Sequence, residues 1–251
     1  MSDSLPWTYY PELVSPAAYE ELIPYFDPLC ARQVSYFGEK KFTTGRRMSV
    51  VADRGAERGP DRGAERGPDR GAERGPDLKN QDGGFSRFLR EKSYISRYRS
   101  IPTVDWEEAP EYFSLLRRDL EQKCGVTVDY ALVNIYDCGQ DTVGWHSDAE
   151  AMASDIISVS LGETRVFRFR QKAPGAEREP QAYDREADSP KKRKKSWSHE
   201  YELKSGDVIH MRGTRQAEDG SRLPSCQELY EHCLPKRMNK GKRLNLTFRS
   251  Y

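Results

Sequence analysis

Six short runs in the second half of the chain are rich in β-branched and aromatic residues and are set apart by Gly, Asp or Ser. They cover 130–136, 156–161, 165–170, 200–203, 207–211 and 243–249, and they predict strands. Their regular spacing predicts a sandwich or barrel. Helical periodicity is confined to the first half, at 16–25 and 108–123, where Tyr112, Leu115, Leu116, Leu120 and Cys124 recur at helical spacing. The expected fold is therefore mainly β, of α+β type, with the helices buttressing one face of the sheet.

The last run, Arg243-Leu244-Asn245-Leu246-Thr247-Phe248-Arg249, alternates strictly. Both arginines and Asn245 share one face, and Leu244, Leu246 and Phe248 share the other. Such a polar face is either solvated, on an edge strand, or a pair of guanidinium forks matched to the two carboxylates of a diacid such as 2-oxoglutarate. In 130–136, Asn134 and Tyr136 also share a face, with Leu132 before them, and can offer an amide and a phenol to the same ligand.

Two stretches break the pattern. The octapeptide Asp-Arg-Gly-Ala-Glu-Arg-Gly-Pro occurs three times without variation, at 53–60, 61–68 and 69–76. Each copy is self-neutralised, lacks a large apolar side chain and is punctuated by Gly and Pro, so it predicts a disordered insert rather than a solenoid. Its arginines could otherwise form a loose electrostatic arm for phosphate. Residues 172–198 read as a long loop ending in Pro190-Lys191-Lys192-Arg193-Lys194-Lys195. That basic run is a nuclear-import signal, a phosphate-gripping patch or solvated surface.

Composition narrows the classes. The 251 residues carry 41 Lys+Arg against 40 Asp+Glu, a net charge of +1, which suits one domain with decoration and excludes a uniformly basic nucleic-acid coat. No window approaches a membrane-spanning length of apolar residues, and Met1–Pro16 lacks the layout of a signal peptide, so neither a spanning nor a secreted protein is expected. Cys30, Cys124, Cys138, Cys226 and Cys233 are scattered and odd in number, which fits a reducing compartment and argues against a cysteine zinc site.

Four histidines remain: His146, His199, His210 and His232. His146 and Asp148 stand at i and i+2, on one face of an extended segment, as a shared metal ion requires. Two histidines and a carboxylate would leave three positions open on a non-haem Fe(II), enough for a bidentate 2-oxo acid and dioxygen. His232, just ahead of the last strand, is the favoured second histidine. His210 is the rival inside an apolar strand, and His199 has the weakest case.

In order along the chain these residues form a series: Asn134-Ile-Tyr136, Gly144-Trp-His146-Ser-Asp148-Ala-Glu150, Ile157-Ser-Val-Ser-Leu-Gly162, Gly206-Asp207 leading to Met211-Arg-Gly213, His232-x-x-Pro235-Lys236 and Arg243-Leu-Asn245-Leu-Thr-Phe-Arg249. The series resembles the AlkB family of Fe(II)- and 2-oxoglutarate-dependent dioxygenases, in the branch that repairs alkylated nucleic acid, over residues 94–251. The resemblance implies a double-stranded β-helix (jelly roll), iron on His146, Asp148 and His232, and 2-oxoglutarate on Asn134, Tyr136, Arg243, Asn245 and Arg249. It implies that Fe(II), 2-oxoglutarate and O2 drive oxidative demethylation of bases such as N1-methyladenine or N3-methylcytosine in DNA or RNA, releasing formaldehyde and succinate. A base flipped out of the stack would enter a closed pocket walled by His146, with Glu150 near its edge. Tyr94 and Tyr98, with Tyr36, Phe37 and Phe42, are the candidates to stack on its other side.

The resulting partition is an N-terminal helical and nucleotide-recognition region at 1–52, the repeat insert at 53–77, and the jelly roll at 78–251 with its basic loop at 172–198. A monomer acting on alkylated DNA or RNA, without membrane contact and in the nucleus or cytoplasm, is expected, the basic run favouring the nucleus. Two alternatives stand beside it: hydroxylation of a protein or small molecule, and a non-catalytic nucleic-acid-binding relative. Residues 215–228 are longer than the family pattern leads one to expect, which bears on the geometry at His232.

Overall fold

A computed structural model describes residues 5–37, 40–52, 101–148, 151–172 and 199–250. The octapeptide repeats, Tyr94, Tyr98, Glu150 and the basic run lie outside the described residues, and Tyr36, Phe37 and Phe42 are described by their backbone alone. In chain order the elements are β1 (Trp7–Tyr10), α1 (Ala18–Leu29), β2 (Ala31–Phe37), β3 (Lys40–Ala52), β4 (Thr103–Val104), α2 (Glu111–Cys124), β5 (Tyr130–Tyr136), β6 (Val143–His146) and β7 (Ile156–Gly162). They continue with β8 (Arg165–Gln171), β9 (His199–Leu203), β10 (Val208–Met211), β11 (Arg215–Gln216), β12 (Arg222–Leu223), α3 (Cys226–Leu229), β13 (Tyr230–Leu234) and β14 (Arg243–Arg249).

Pairing sorts these strands into a large sheet of order β1-β10-β7-β14-β5-β3-β2, with β4 parallel to β3, and a small sheet of order β6-β13-β8-β9. The two sheets pack face to face through Tyr136, Ile156, Ile209 and Met211 on one side and Val143, Phe167, Phe169 and Leu234 on the other. This is the expected jelly roll, with helices on the outer face of the large sheet. There Leu22 and Phe26 of α1 and Phe113, Leu116 and Leu120 of α2 meet Leu244, Leu246 and Phe248. Phe113 and Phe248 lie 5.3 Å apart between ring centroids. Burying each such side chain contributes about 1.5–3 kcal/mol, so the helices are held on the sheet through one hydrophobic layer.

β14 is a central strand, paired with β5 on one side and β7 on the other, and all seven of its residues are buried. The reading of its polar residues as a solvated edge-strand face is thereby excluded. Its inner face, carrying Arg243, Asn245, Thr247 and Arg249, looks into the space between the sheets.

Helix α2 corrects the expected packing stripe. Phe113, Leu116 and Leu120 are its buried residues, whereas Leu115 is 50% exposed. At about 100° per residue, a stripe through 113, 116 and 120 leaves 115 on the flank. The helix ends where Gly125 takes a left-handed φ of 68° and its N–H donates to the Glu121 carbonyl.

The first 52 residues, expected to be helical, contribute one helix and three strands, all three in the large sheet. Their alternation is masked because β3 is rich in Lys, Arg and Thr, and β1 is only four residues long. The extra length between β10 and β13 is taken up by the β11–β12 hairpin and by α3, and β13 still sets His232 opposite His146, with a register shift between His232 and Leu234. Among the described residues no helix is long and apolar enough to cross a membrane.

Candidate metal and co-substrate site

His146 is the last residue of β6 and faces His232 directly across the antiparallel β6–β13 pair. Directly opposed residues project to the same side of a sheet, so the two imidazoles meet, with centroids 4.2 Å apart. Asp148, two residues beyond His146, reaches the same side. Its Oδ1 is 3.8 Å from His146 Nε2 and its Oδ2 is 3.7 Å from His232 Nε2. The three candidate ligand atoms lie within 4.8 Å of one another.

The protonation states suit cation binding. His146 Nδ1 lies 2.9 Å from the Gly144 carbonyl, to which it donates, and this contact turns Nε2 toward the carboxylate. Burial pushes the His232 pKa down to about 3, and the neighbouring His146 adds to the effect, so this imidazole is neutral. Burial alone would raise the Asp148 pKa, but the Arg249 guanidinium, with Nη2 3.2 Å from Oδ2, and the two imidazoles hold it well below the usual carboxylate range. Two imidazoles and one ionised carboxylate converging on a point are the donor set of a non-haem Fe(II) site with open positions.

The inner faces of β5 and β14 form the floor beside this cluster. Arg243 is paired with Tyr136, Asn245 with Asn134 and Thr247 with Leu132. Arg243 Nη2 donates to Ser160 Oγ at 2.8 Å, and Asn245 Nδ2 donates to Ser158 Oγ at 2.9 Å and to the Val159 carbonyl at 2.8 Å. The Arg243 guanidinium lies 5.3 Å from the Tyr136 ring centroid. It is 2% exposed, and among the described residues no carboxylate pairs with it. Burial brings its pKa down to about 10. A buried cation without a counter-charge is costly unless an anionic ligand completes it. The cavity bounded by these groups has an empty volume of about 520 Å³ counted out to its open mouth, and Val143, Phe167, Met211 and Leu234 supply its apolar wall.

The sequence-predicted residues thus divide into two groups. His146, Asp148, His232, Asn134, Tyr136, Arg243, Asn245 and Arg249 all line this one cavity. His210 does not: it is buried in β10 with Nε2 2.5 Å from Asp155 Oδ2, while Asp155 Oδ1 accepts the Gly213 N–H at 2.7 Å. His199 stands at the start of β9, edge-on to Trp7. Glu150, Tyr94 and Tyr98 lie outside the described residues.

Several lining residues were not anticipated. Arg46, from β3, donates through Nε to Asn134 Oδ1 at 2.7 Å. It lies in a stretch with no readable strand period. Ser158, which lines the cavity, and Ser160, which holds Arg243 from beside it, had a usable signal as alternate polar residues in an otherwise apolar run. Behind Tyr136, Arg165 is fully buried and donates to the carbonyls of Asp141 and Pro235, each at 2.9 Å, joining the β5–β6 loop to the end of β13.

The family model for the 2OG-Fe(II) oxygenase superfamily matches residues 8–249. Alpha-ketoglutarate-dependent dioxygenase alkB homolog 3 of Rattus norvegicus is 30% identical over 159 residues, covering 62% of this chain and 45% of the relative. DNA oxidative demethylase ALKBH2 of Bos taurus is 47% identical over 51 residues, 19% of this chain and 18% of the relative. The solved structure of OsALKBH1 aligns over 100% of both chains with 15% identity and a TM-score of 0.49. The chain spans about half the length of the alkB homolog 3 relatives it matches.

Proposed function

The chain belongs to the 2OG-Fe(II) oxygenase superfamily and to its AlkB family, and from that membership we propose that it is a dioxygenase that oxidatively removes N-linked alkyl groups from bases in DNA or RNA. Fe(II), 2-oxoglutarate and O2 are the family's cofactor set. When bound, they would supply the oxidising equivalents to hydroxylate an N-methyl carbon, with succinate, CO2 and formaldehyde as products. The observation that carries the reading is the meeting, in one cavity, of a His-Asp-His cluster and a buried guanidinium, that of Arg243, which has no carboxylate partner among the described residues.

In this reading His146, Asp148 and His232 hold the metal, and the His232 imidazole, kept neutral by burial, and the ionised Asp148 are in the forms that ligate a cation. Arg243 and Tyr136 take the distal carboxylate of 2-oxoglutarate, and Arg249, beside Asp148, balances charge at the metal end. Asn134 faces the chain of the diacid, and Asn245, its own N–H groups held by Ser158 and Val159, fixes the floor beside it. The apolar wall of Phe167, Met211 and Leu234 keeps water from the reacting face. Glu150, Tyr94 and Tyr98 are assigned to the flipped base, and the basic run to nuclear import. The protein acts as a monomer.

The test is formaldehyde release by purified protein with Fe(II), 2-oxoglutarate and ascorbate, from oligonucleotides carrying N1-methyladenine or N3-methylcytosine. Release above an unmethylated control is expected. Turnover of 2-oxoglutarate that these oligonucleotides do not stimulate would overturn the nucleic-acid substrate and point to a protein or small molecule.

A further inference from the structure

The N–H of Asp148 lies just beyond the β6–β13 ladder, whose last pair at this end is His146 with His232, so a strand partner is not there to take it. A side chain takes it instead. Gln227 Oε1 accepts the Asp148 N–H at 2.9 Å. Gln227 is 1% exposed, and its Nε2 lies 3.4 Å from Met211 Sδ. Of the two ends of the amide only the oxygen accepts, so this contact sets which way the side chain points.

The backbone that carries Gln227 is itself tied down. Helix α3 is closed by a reciprocal capping box: Ser225 Oγ accepts the Glu228 N–H at 3.1 Å and Glu228 Oε2 accepts the Ser225 N–H at 2.7 Å. The Cys226 N–H donates to the Arg212 carbonyl at 2.9 Å, and Lys172 Nζ donates to the Gln227 carbonyl at 2.6 Å. On the other side of the aspartate, its own carbonyl accepts the Ala151 N–H at 3.0 Å. Both peptide groups flanking the Asp148 Cα are therefore bonded, and the N–H of the one that leads in from Ser147 is held by the Gln227 amide oxygen.

We propose that Gln227 is a positioning residue for the metal centre: by accepting the Asp148 N–H it holds the carboxylate at the point where the Nε2 atoms of His146 and His232 converge. Helix α3 runs directly into β13, so one braced segment fixes the aspartate through Gln227 and presents His232 itself. This rests on the reading that the three residues bind a metal, and it assigns Gln227 no contact with metal, co-substrate or base.

The experiment is Mn(II) titration of the metal-free full chain, followed by the electron paramagnetic resonance signal of the free ion, with the metal-free melting temperature measured in parallel. Gln227→Met keeps the buried volume and removes the acceptor. Gln227→Asn keeps the amide but falls one methylene short. Gln227→Glu keeps an acceptor oxygen at full reach. Mn(II) affinity is expected to weaken about 10- to 100-fold in Gln227→Met and Gln227→Asn, as for other partners that orient a ligand, and to stay at or above the wild-type value in Gln227→Glu. If Gln227→Met does not fold, Gln227→Asn decides. A lowered melting temperature with unchanged Mn(II) affinity would mark a purely structural residue and overturn the proposal. Weakening by Gln227→Glu equal to that by Gln227→Asn would do the same. Failure of the wild-type chain to take up Mn(II) would instead strike the metal reading itself.

Discussion

Replacing Arg243 with Met separates what this residue does for the fold from what it does for ligand binding, because the two effects carry opposite signs. In the ligand-free protein the guanidinium is fully buried with Ser160 Oγ and the face of Tyr136 as its neighbours and, among the described residues, no carboxylate against it. The depression of its pKa from 12.5 to about 10 corresponds to roughly 3 kcal/mol of penalty on the charged form. Met fills a similar space without a charge. Exchanging a buried, uncompensated ion for an apolar side chain is neutral or stabilising by about 1–4 kcal/mol. Loss of the Ser160 hydrogen bond takes back about 1 kcal/mol. The ligand-free melting temperature of Arg243→Met should therefore hold or rise, at about 2–4 °C per kcal/mol for a chain of this size. In the complex the same change strands the distal carboxylate of 2-oxoglutarate, and removing one partner of a desolvated pair costs about 2–5 kcal/mol, a loss of roughly 30- to several-thousand-fold in affinity. Differential scanning fluorimetry with and without the diacid reads both effects. Wild type should gain stability with added 2-oxoglutarate, approaching about 2.7 kcal/mol at a hundred times Kd, while the variant at the same concentration gains no more than about 0.9 kcal/mol. A variant that melts well below wild type yet keeps its ligand-induced shift would refute the assignment of Arg243 to the diacid.

Three further outcomes follow from other parts of the molecule. Leu246→Ala, in the middle of β14, should cost about 2–5 kcal/mol in urea unfolding, because its side chain is fully enclosed beneath the helices; a loss below 1 kcal/mol would contradict that packing. Burial opposes ionisation of Asp155, but the hydrogen bonds from His210 and the Gly213 N–H lower its pKa below 3.8. Its stabilisation is thus complete above the ordinary aspartate value and is lost as pH falls through the lower folded value, so Asp155→Asn should flatten the acid limb of stability below about pH 4, and a limb of unchanged slope would contradict the link. Burial raises the thiol pKa of Cys30 to about 11 and those of Cys226 and Cys233 to about 12, whereas Cys138 is exposed. Peptide mapping after iodoacetamide treatment of native protein should find Cys138 modified first; early labelling of Cys226 would show that α3 opens readily.

Much of this was readable before any coordinates. A period of two is a local property, so the alternation in 243–249 already placed Arg243, Asn245 and Arg249 on one face, and the spacing of His146 and Asp148 placed them together. Which faces are buried is a property of the neighbours. That β14 is central rather than marginal depends on β5 and β7 pairing with it, and those strands lie more than eighty residues away along the chain. The choice of His232 over His210 likewise came from motif order, whereas the pairing of His232 with His146, and of His210 with Asp155, is a matter of register. Arg46 and Gln227 left no mark in the chain's pattern. One lies in a strand whose period is hidden by charged residues, and the other in a four-residue helix too short to show any period. Periodicity thus assigns each side chain to a face, because backbone geometry repeats locally. The identity of what stands opposite that face is set by long-range pairing and close packing, which a linear string does not encode position by position.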